Sequence, residues 1–437
     1  MKNFNKKKLL FLFIIFIYQY NFCGCGVMLR CNLNYLDYEI QQHIKIKYPS
    51  YWKNLKNCDK RNKTLHLMNL AYKMFWNKDY RHAKYLFKEI IIEIEELYGS
   101  HENAKKYRKR FFQEANKAKS PFYRECIKYF KGEPFERMMA YYYLGLIYLI
   151  ENDFENAHAS FVNGQLQDAI TEEHQYQSDF LALDILCYWS ASLMGSQALV
   201  EKYAPIILDS NINQVKQLMS GNVFIIVESG KGPEKRQKGK NKEILSFLCN
   251  KSVIKNINIK KKTENIHLIE TGDLCWQAIT RGGREIDGIL AQKAIWKKDW
   301  KERKNKMWDG INVSENDNSI KQKNVSDLQK TIDNKQSNQS LYLTSMMQNQ
   351  NKWKRDMLVL SKVLNESIHP EADTRAWDDL PKRIWMQRIK TNDRFIKLEF
   401  ISNEKKYCKT INIYRIDKEK NLGLIIISLS NEEAGKI

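Results

Sequence analysis

The chain has 437 residues, 43% of them hydrophobic, with a formal net charge of +21. That apolar fraction excludes a wholly disordered chain, and the length suffices for two or three domains. Lysine and asparagine are spread along the whole sequence and not gathered into one basic, aromatic-laced segment, so the charge reads as a solvated surface and no nucleic-acid partner is expected.

Lys2, Lys6, Lys7 and Lys8 precede the apolar run Leu9–Tyr18. This is the layout of a secretory leader, too short alone to span a bilayer. Phe22-Cys23-Gly24-Cys25 follows. Gly24 and Cys25 stand where a bacterial lipobox has its small residue and its acylated cysteine, while Phe22 replaces the usual leucine. The reading is a leader over residues 1–24 and a lipid anchor on Cys25. An uncleaved apolar anchor over Leu9–Leu29 is the second reading, and secretion without an anchor the third. All three export the chain, and the expected place is membrane-anchored in the cell envelope, on the periplasmic side. The seven later cysteines are scattered (Cys31, Cys58, Cys126, Cys187, Cys249, Cys275 and Cys408), with no Cys-x-x-Cys pair and no haem or zinc spacing. An odd number gives no disulfide framework, and most are read as small buried apolar residues.

Residues 32–215 carry a helical pattern. In Tyr141–Gly164, Leu144-Gly145 and Tyr148 suit a first helix, Asn152-Asp153-Phe154 a turn, and Ala157, Phe161 and Gly164 a second helix. In Leu67–Ile90 the matching residues are Leu70-Ala71 and Met74, then Lys78-Asp79-Tyr80, then Ala83 and Phe87. A weaker unit spans Ala182–Pro205, with its turn at Gly195. The small residues let paired helices approach and the large ones fill the groove beside them. The units resemble tetratricopeptide repeats.

At Ser220-Gly221 the period changes. Val223–Val227 is a β-branched run expected to form a buried strand. The stretch holding Lys231, Lys235, Arg236, Lys238, Lys240 and Lys242 lacks a phosphate-binding spacing and reads as a solvated loop. A strand at Ile266–Ile269 and the segment Thr280–Leu290 complete a first part of a β domain, residues 220–300. Residues 301–350, rich in Asn, Lys, Gln and Ser, read as a flexible insertion. Residues 351–437 complete the domain with a helix at Lys352–Leu364, the Asp373-Thr-Arg-Ala-Trp-Asp-Asp379 segment, and strands at Ile384–Ile389, Phe395–Phe400, Thr410–Tyr414 and Leu422–Leu429. The fold class is therefore α+β, a tetratricopeptide-like helical domain followed by a mostly antiparallel β domain.

The leader, the degenerate repeats, the Val-Phe-Ile-Ile-Val strand, Thr280-Arg-Gly-Gly-Arg-Glu-Ile-Asp-Gly-Ile-Leu-Ala291 and Asp373-Thr-Arg-Ala-Trp-Asp-Asp-Leu-Pro381 occur in that order. Together they resemble a family of uncharacterised bacterial lipoproteins with tetratricopeptide-like repeats and a C-terminal β region. The resemblance covers roughly residues 60–300 and 350–430. It implies an exported, anchored protein and brings no catalytic residues.

Protein partners are expected at a concave groove of the helical repeats, with Tyr141, Tyr142 and Trp189 (beside Tyr143 and Phe130) as its lining. Arg281, Arg284 and Asp287 of the first motif are expected to pair with Asp373, Arg375 and Asp378 of the second, with Trp377 over the joint. Membrane contact falls to the lipid or apolar N-terminus. No nucleophile with an adjacent base, no His-x-x-x-His and no cofactor motif occurs, so neither enzyme, metal site nor cofactor is expected. Two alternatives stand beside this reading. One is an envelope hydrolase with its site between Arg281–Asp287 and Asp373–Asp379. The other is an anionic-polymer binder acting through Lys231–Lys242.

Overall fold

The structure, a computed structural model, describes residues 36–98, 132–168, 179–210, 215–251, 254–260, 265–280, 290–299, 368–402 and 405–429, with Leu33 and short pieces within 124–130 and at 301–302. Cys25, the Arg281–Asp287 motif, nearly all of the insertion and the expected Lys352–Leu364 helix lie outside the described residues. The fold is α+β.

Eight helices form the first half of the described chain: α1 (Tyr38–Lys47), α2 (Pro49–Asn57), α3 (Lys63–Trp76), α4 (Tyr80–Tyr98), α5 (Pro134–Ile150), α6 (Phe154–Asp168), α7 (Leu181–Met194) and α8 (Gln197–Asp209). From α3 onward each helix packs on the next in chain order. The start of α5 is written locally. Pro134 sits in its first turn with φ pre-set for a helix, and Glu136 reaches back to accept the Glu133 N–H at 2.6 Å. The α5–α6 crossing is close because Gly145 has no side chain. A Cβ there would lie 2.3 Å from the ring of Phe161.

The three tight hairpin turns share one backbone design. Lys78, Asn152 and Gly195 each adopt a left-handed φ, of 58°, 64° and 72°. In each, the next residue donates its N–H to the carbonyl five residues back: Asp79 to Met74, Asp153 to Tyr148, and Ser196 to Ala191. This pattern satisfies the last free carbonyls of the preceding helix and reverses the chain at once.

The sheets form two layers beneath the helices. One has the order β10-β11-β1-β7-β6 and the other β5-β4-β8-β9. The ranges are β1 Val223–Lys231, β4 Ile254–Lys260, β5 Asn265–His267, β6 Ile269–Asp273, β7 Pro381–Ile389, β8 Phe395–Ser402, β9 Lys406–Asn412, β10 Tyr414–Asp417 and β11 Leu422–Leu429. The central strand β1 pairs antiparallel with β7 but parallel with β11, so the first sheet is mixed. Phe224 and Ile226 join the helical core, whereas Val223, Ile225 and Val227 join the core between the sheets. Burial on both faces is why this strand reads as an unbroken apolar run.

Two expectations are corrected here. The lysine-rich stretch after β1 is a hairpin of β2 (Glu234–Lys238) and β3 (Ile244–Leu248), and Lys235 is buried within it. The period-2 signal was hidden because charged residues fill both faces of β2. The cysteines also form more than an apolar set. Cys249, after β3, is disulfide-bonded to Cys275 in the short helix α9 (Leu274–Ile279), and Cys58 is disulfide-bonded too. A 26-residue separation leaves no local spacing to read. No described helix is long and apolar enough to cross a membrane.

Candidate functional site

The expected groove is filled by the protein's own sheet. Tyr141, Tyr142 and Trp189 are 3%, 0% and 0% exposed and line no open surface. Trp189 donates its indole N–H to the Leu218 carbonyl at 2.7 Å and packs 4.6 Å from the Phe224 ring on β1. Tyr143 donates to Glu228 of β1 at 2.8 Å and sits among Tyr72, Phe75, Phe87 and Trp377. Aromatic side chains that hold a sheet and those that hold a peptide have the same helical spacing, so the sequence could not separate them. Glu228 is wholly buried. Burial pushes its carboxyl up to about 8, only partly offset by the hydrogen bond from Tyr143.

The second charged motif forms a clasp around α5. Glu136 accepts the Trp377 N–H on Oε1 at 2.7 Å and Lys235 Nζ on Oε2 at 2.8 Å, besides capping its own helix. Lys235 also donates to the Arg375 carbonyl at 2.9 Å and lies 3.6 Å from Glu133. Burial disfavours its charge, but Glu136 and Glu133 outweigh that and hold the ammonium above its ordinary range. Arg375 engages Asp373 of its own segment, with Nη2 to Oδ2 at 2.6 Å, and donates to Asn62 at 2.6 Å. Asp373 is thereby occupied from within its own segment; its expected partners in the first motif, Arg281 and Arg284, lie outside the described residues. Asp378 and Asp379 face solvent, yet partial burial raises both carboxyls. Trp377 packs into the aromatic cluster and not over an Arg–Asp pair. Cys275 is held in its disulfide with Cys249. The clasp contacts tie α5 to β2 and to the Arg375–Trp377 segment, the arrangement of a joint.

One cluster was not legible in the sequence at all. Asp79, in the first hairpin turn, receives His82 Nδ1 on Oδ1 and His43 Nε2 on Oδ2, both at 2.6 Å. The two imidazole rings stack 3.6 Å apart at 10°. Tyr48 donates its hydroxyl to Oδ2 at 3.1 Å, and Lys47 Nζ lies 3.4 Å from the same oxygen. Burial opposes ionisation of Asp79, but hydrogen bonds from His82 and His43 dominate and bring its carboxyl down to about 2. The ligand-capable atoms of His43, Asp79 and His82 all lie within 4.8 Å of one another. His43 comes from α1, 36 residues before Asp79, so no short motif announces the group.

Comparison with known proteins returns no match among family models, curated proteins or solved structures.

Proposed function

We propose that the chain is an exported, membrane-tethered lipoprotein of the cell envelope that acts as a tetratricopeptide-like scaffold for a protein partner and not as an enzyme. The observation that carries the repeat reading is the shared turn, with Lys78, Asn152 and Gly195 in one conformation and one hydrogen-bond pattern. The Gly145–Phe161 crossing supports it, since close helix pairs need a small residue opposite a large one. Export is supported by the leader and by the Cys249–Cys275 and Cys58 disulfides, which persist in oxidising compartments. The lipoprotein family resemblance points the same way.

Because the sheet covers α5 and α7, the partner surface is assigned to the outer helices. Leu166 on α6 and Ile206 and Leu208 on α8 are exposed there. A photoreactive residue at Leu166 in intact envelopes should yield one discrete adduct, lost in the Ile206→Glu/Leu208→Glu background. No adduct, or one unchanged by the charges, refutes the scaffold surface. For the tether, Cys25→Ser should release the protein from membranes, whereas continued attachment would assign the anchor to the apolar segment.

A further inference from the structure

We propose that His43, Asp79 and His82 bind one divalent transition-metal ion of the zinc, copper or nickel class. Two imidazoles and a carboxylate suit these borderline ions, and three protein ligands leave a fourth position for water. The group is not a helix cap with histidines nearby. The equivalent turn of the next hairpin shows what capping requires: there Asp153 accepts only from the N–H and side chain of Asn156. His82 occupies the place of Asn156, three residues after the turn aspartate, and His43 is supplied by a separate helix. Neither histidine is needed to reverse the chain, yet both ring nitrogens are directed at one carboxylate.

The geometry is close to a coordination sphere. Zinc–nitrogen bonds of about 2.0–2.1 Å place tetrahedral ligand atoms about 3.3–3.4 Å apart, so the 2.6 Å contacts open by less than about 1 Å on binding. Tyr48 orients the carboxylate from outside the ligand set. The side chains of His43 and His82 are 23% and 13% exposed, which leaves an entry path and a side open to water. Lys47 opposes a cation here, but it is half-exposed and can swing away from its 3.4 Å contact. Bound metal would cross-link α1 to the turn between α3 and α4, fixing the first described helix to the stack. The proposal stands apart from the scaffold reading, which needs no metal.

The test uses the full chain in detergent, titrated at neutral pH with Co²⁺ for its visible spectrum and with Zn²⁺ in competition with a chromophoric chelator. The wild type should give one equivalent of Co²⁺ with the intense absorption of a four- or five-coordinate ion. Octahedral-type weak absorption at one equivalent overturns the proposal without any variant being made. Outer-shell partners typically change metal affinity about 10–100-fold, so Tyr48→Phe should weaken Zn²⁺ binding about tenfold and His43→Gln or His82→Gln by more than about 100-fold. Lys47→Gln should tighten it. Equal Zn²⁺ affinity in the wild type and the His43→Gln/His82→Gln chain, with both retaining the same helical circular dichroism, also overturns it.

Discussion

Replacing Lys235 with methionine separates the two readings of the lysine-rich stretch after β1. In a solvated loop such a change alters stability by no more than about 0.5 kcal/mol. In the structure, Lys235 and Glu136 are both buried and 2.8 Å apart. Lys235→Met leaves the Glu136 carboxylate with the N–H groups of Trp377 and Glu133 but no countercharge. Breaking a buried pair by removing one partner costs about 3–5 kcal/mol, since the orphaned charge keeps its desolvation penalty. Glu136→Gln should cost somewhat less, because the ammonium keeps the Arg375 carbonyl and the more distant Glu133. The double variant, Lys235→Met with Glu136→Gln, removes both charges while a neutral amide oxygen still accepts from the backbone. It should be more stable than the sum of the single losses by about 2 kcal/mol or more. Urea unfolding followed by tryptophan fluorescence and far-ultraviolet circular dichroism measures all three. A loss below about 1 kcal/mol for Lys235→Met, or additive single losses, would refute the buried clasp.

Gly145→Ala should destabilise the chain by about 1–3 kcal/mol, since Phe161 is fully buried and has nowhere to retreat; an unchanged urea midpoint would mean that α5 and α6 do not cross there. Glu228 has a folded-state value of about 8 against an ordinary 4.5, so its favourable contribution is complete below the ordinary value and is lost as pH rises towards 8. Glu228→Gln, which mimics the protonated acid, should therefore match the wild type near pH 4.5 and exceed it near pH 9 by several kcal/mol, on the order of 4–5 by linkage; parallel pH profiles of the melting midpoint would disprove this. Replacing Cys249 and Cys275 with serine should cost about 3.5 kcal/mol, the loop-closure value for their 26-residue separation, and reducing agent should then have no further effect on that bridge.

Much of the architecture was legible because it is local. The hairpin turns announce themselves through Lys78-Asp79, Asn152-Asp153 and Gly195, and β1 and β11 through the apolar runs Val223–Val227 and Leu424–Ile427. What the sequence hid was pairing at a distance. Lys235 looks like every other lysine in its neighbourhood until Glu136, 99 residues away, is placed beside it. Cys275 looks like an isolated thiol until β3 ends at Cys249. The parallel pairing of β1 with β11 brings together strands some 200 positions apart in the chain, and nothing in either strand distinguishes it from an antiparallel neighbour. The groove residues failed for a different reason. Tyr142 and Trp189 have the spacing of a groove lining, but they pack inside the chain's own core.

The covered faces imply that the helical stack does not stand without its last strand. β11 closes one side of β1 through the register from Val223–Gly423 to Ser229–Leu429, and its Leu422 and Leu424 belong to the same core as Phe224, Trp189 and Tyr143. A chain ending at Asn412 loses β10 and β11 and leaves β1 as an unpaired edge with its backbone groups open on that side. That edge is where Tyr72 of α3 meets Ser428 and where Asn152, in the α5–α6 turn, donates to the Ile416 carbonyl, so the truncation uncovers the helices there. The truncated chain should therefore bind a hydrophobic dye and lose protease resistance within residues 134–209 as well as within the sheet. If the helices were a self-sufficient solenoid, whose repeats are stabilised mainly by their neighbours, that resistance would survive the truncation. Survival would show that the sheet merely rests on the stack; its loss would show that one core spans both.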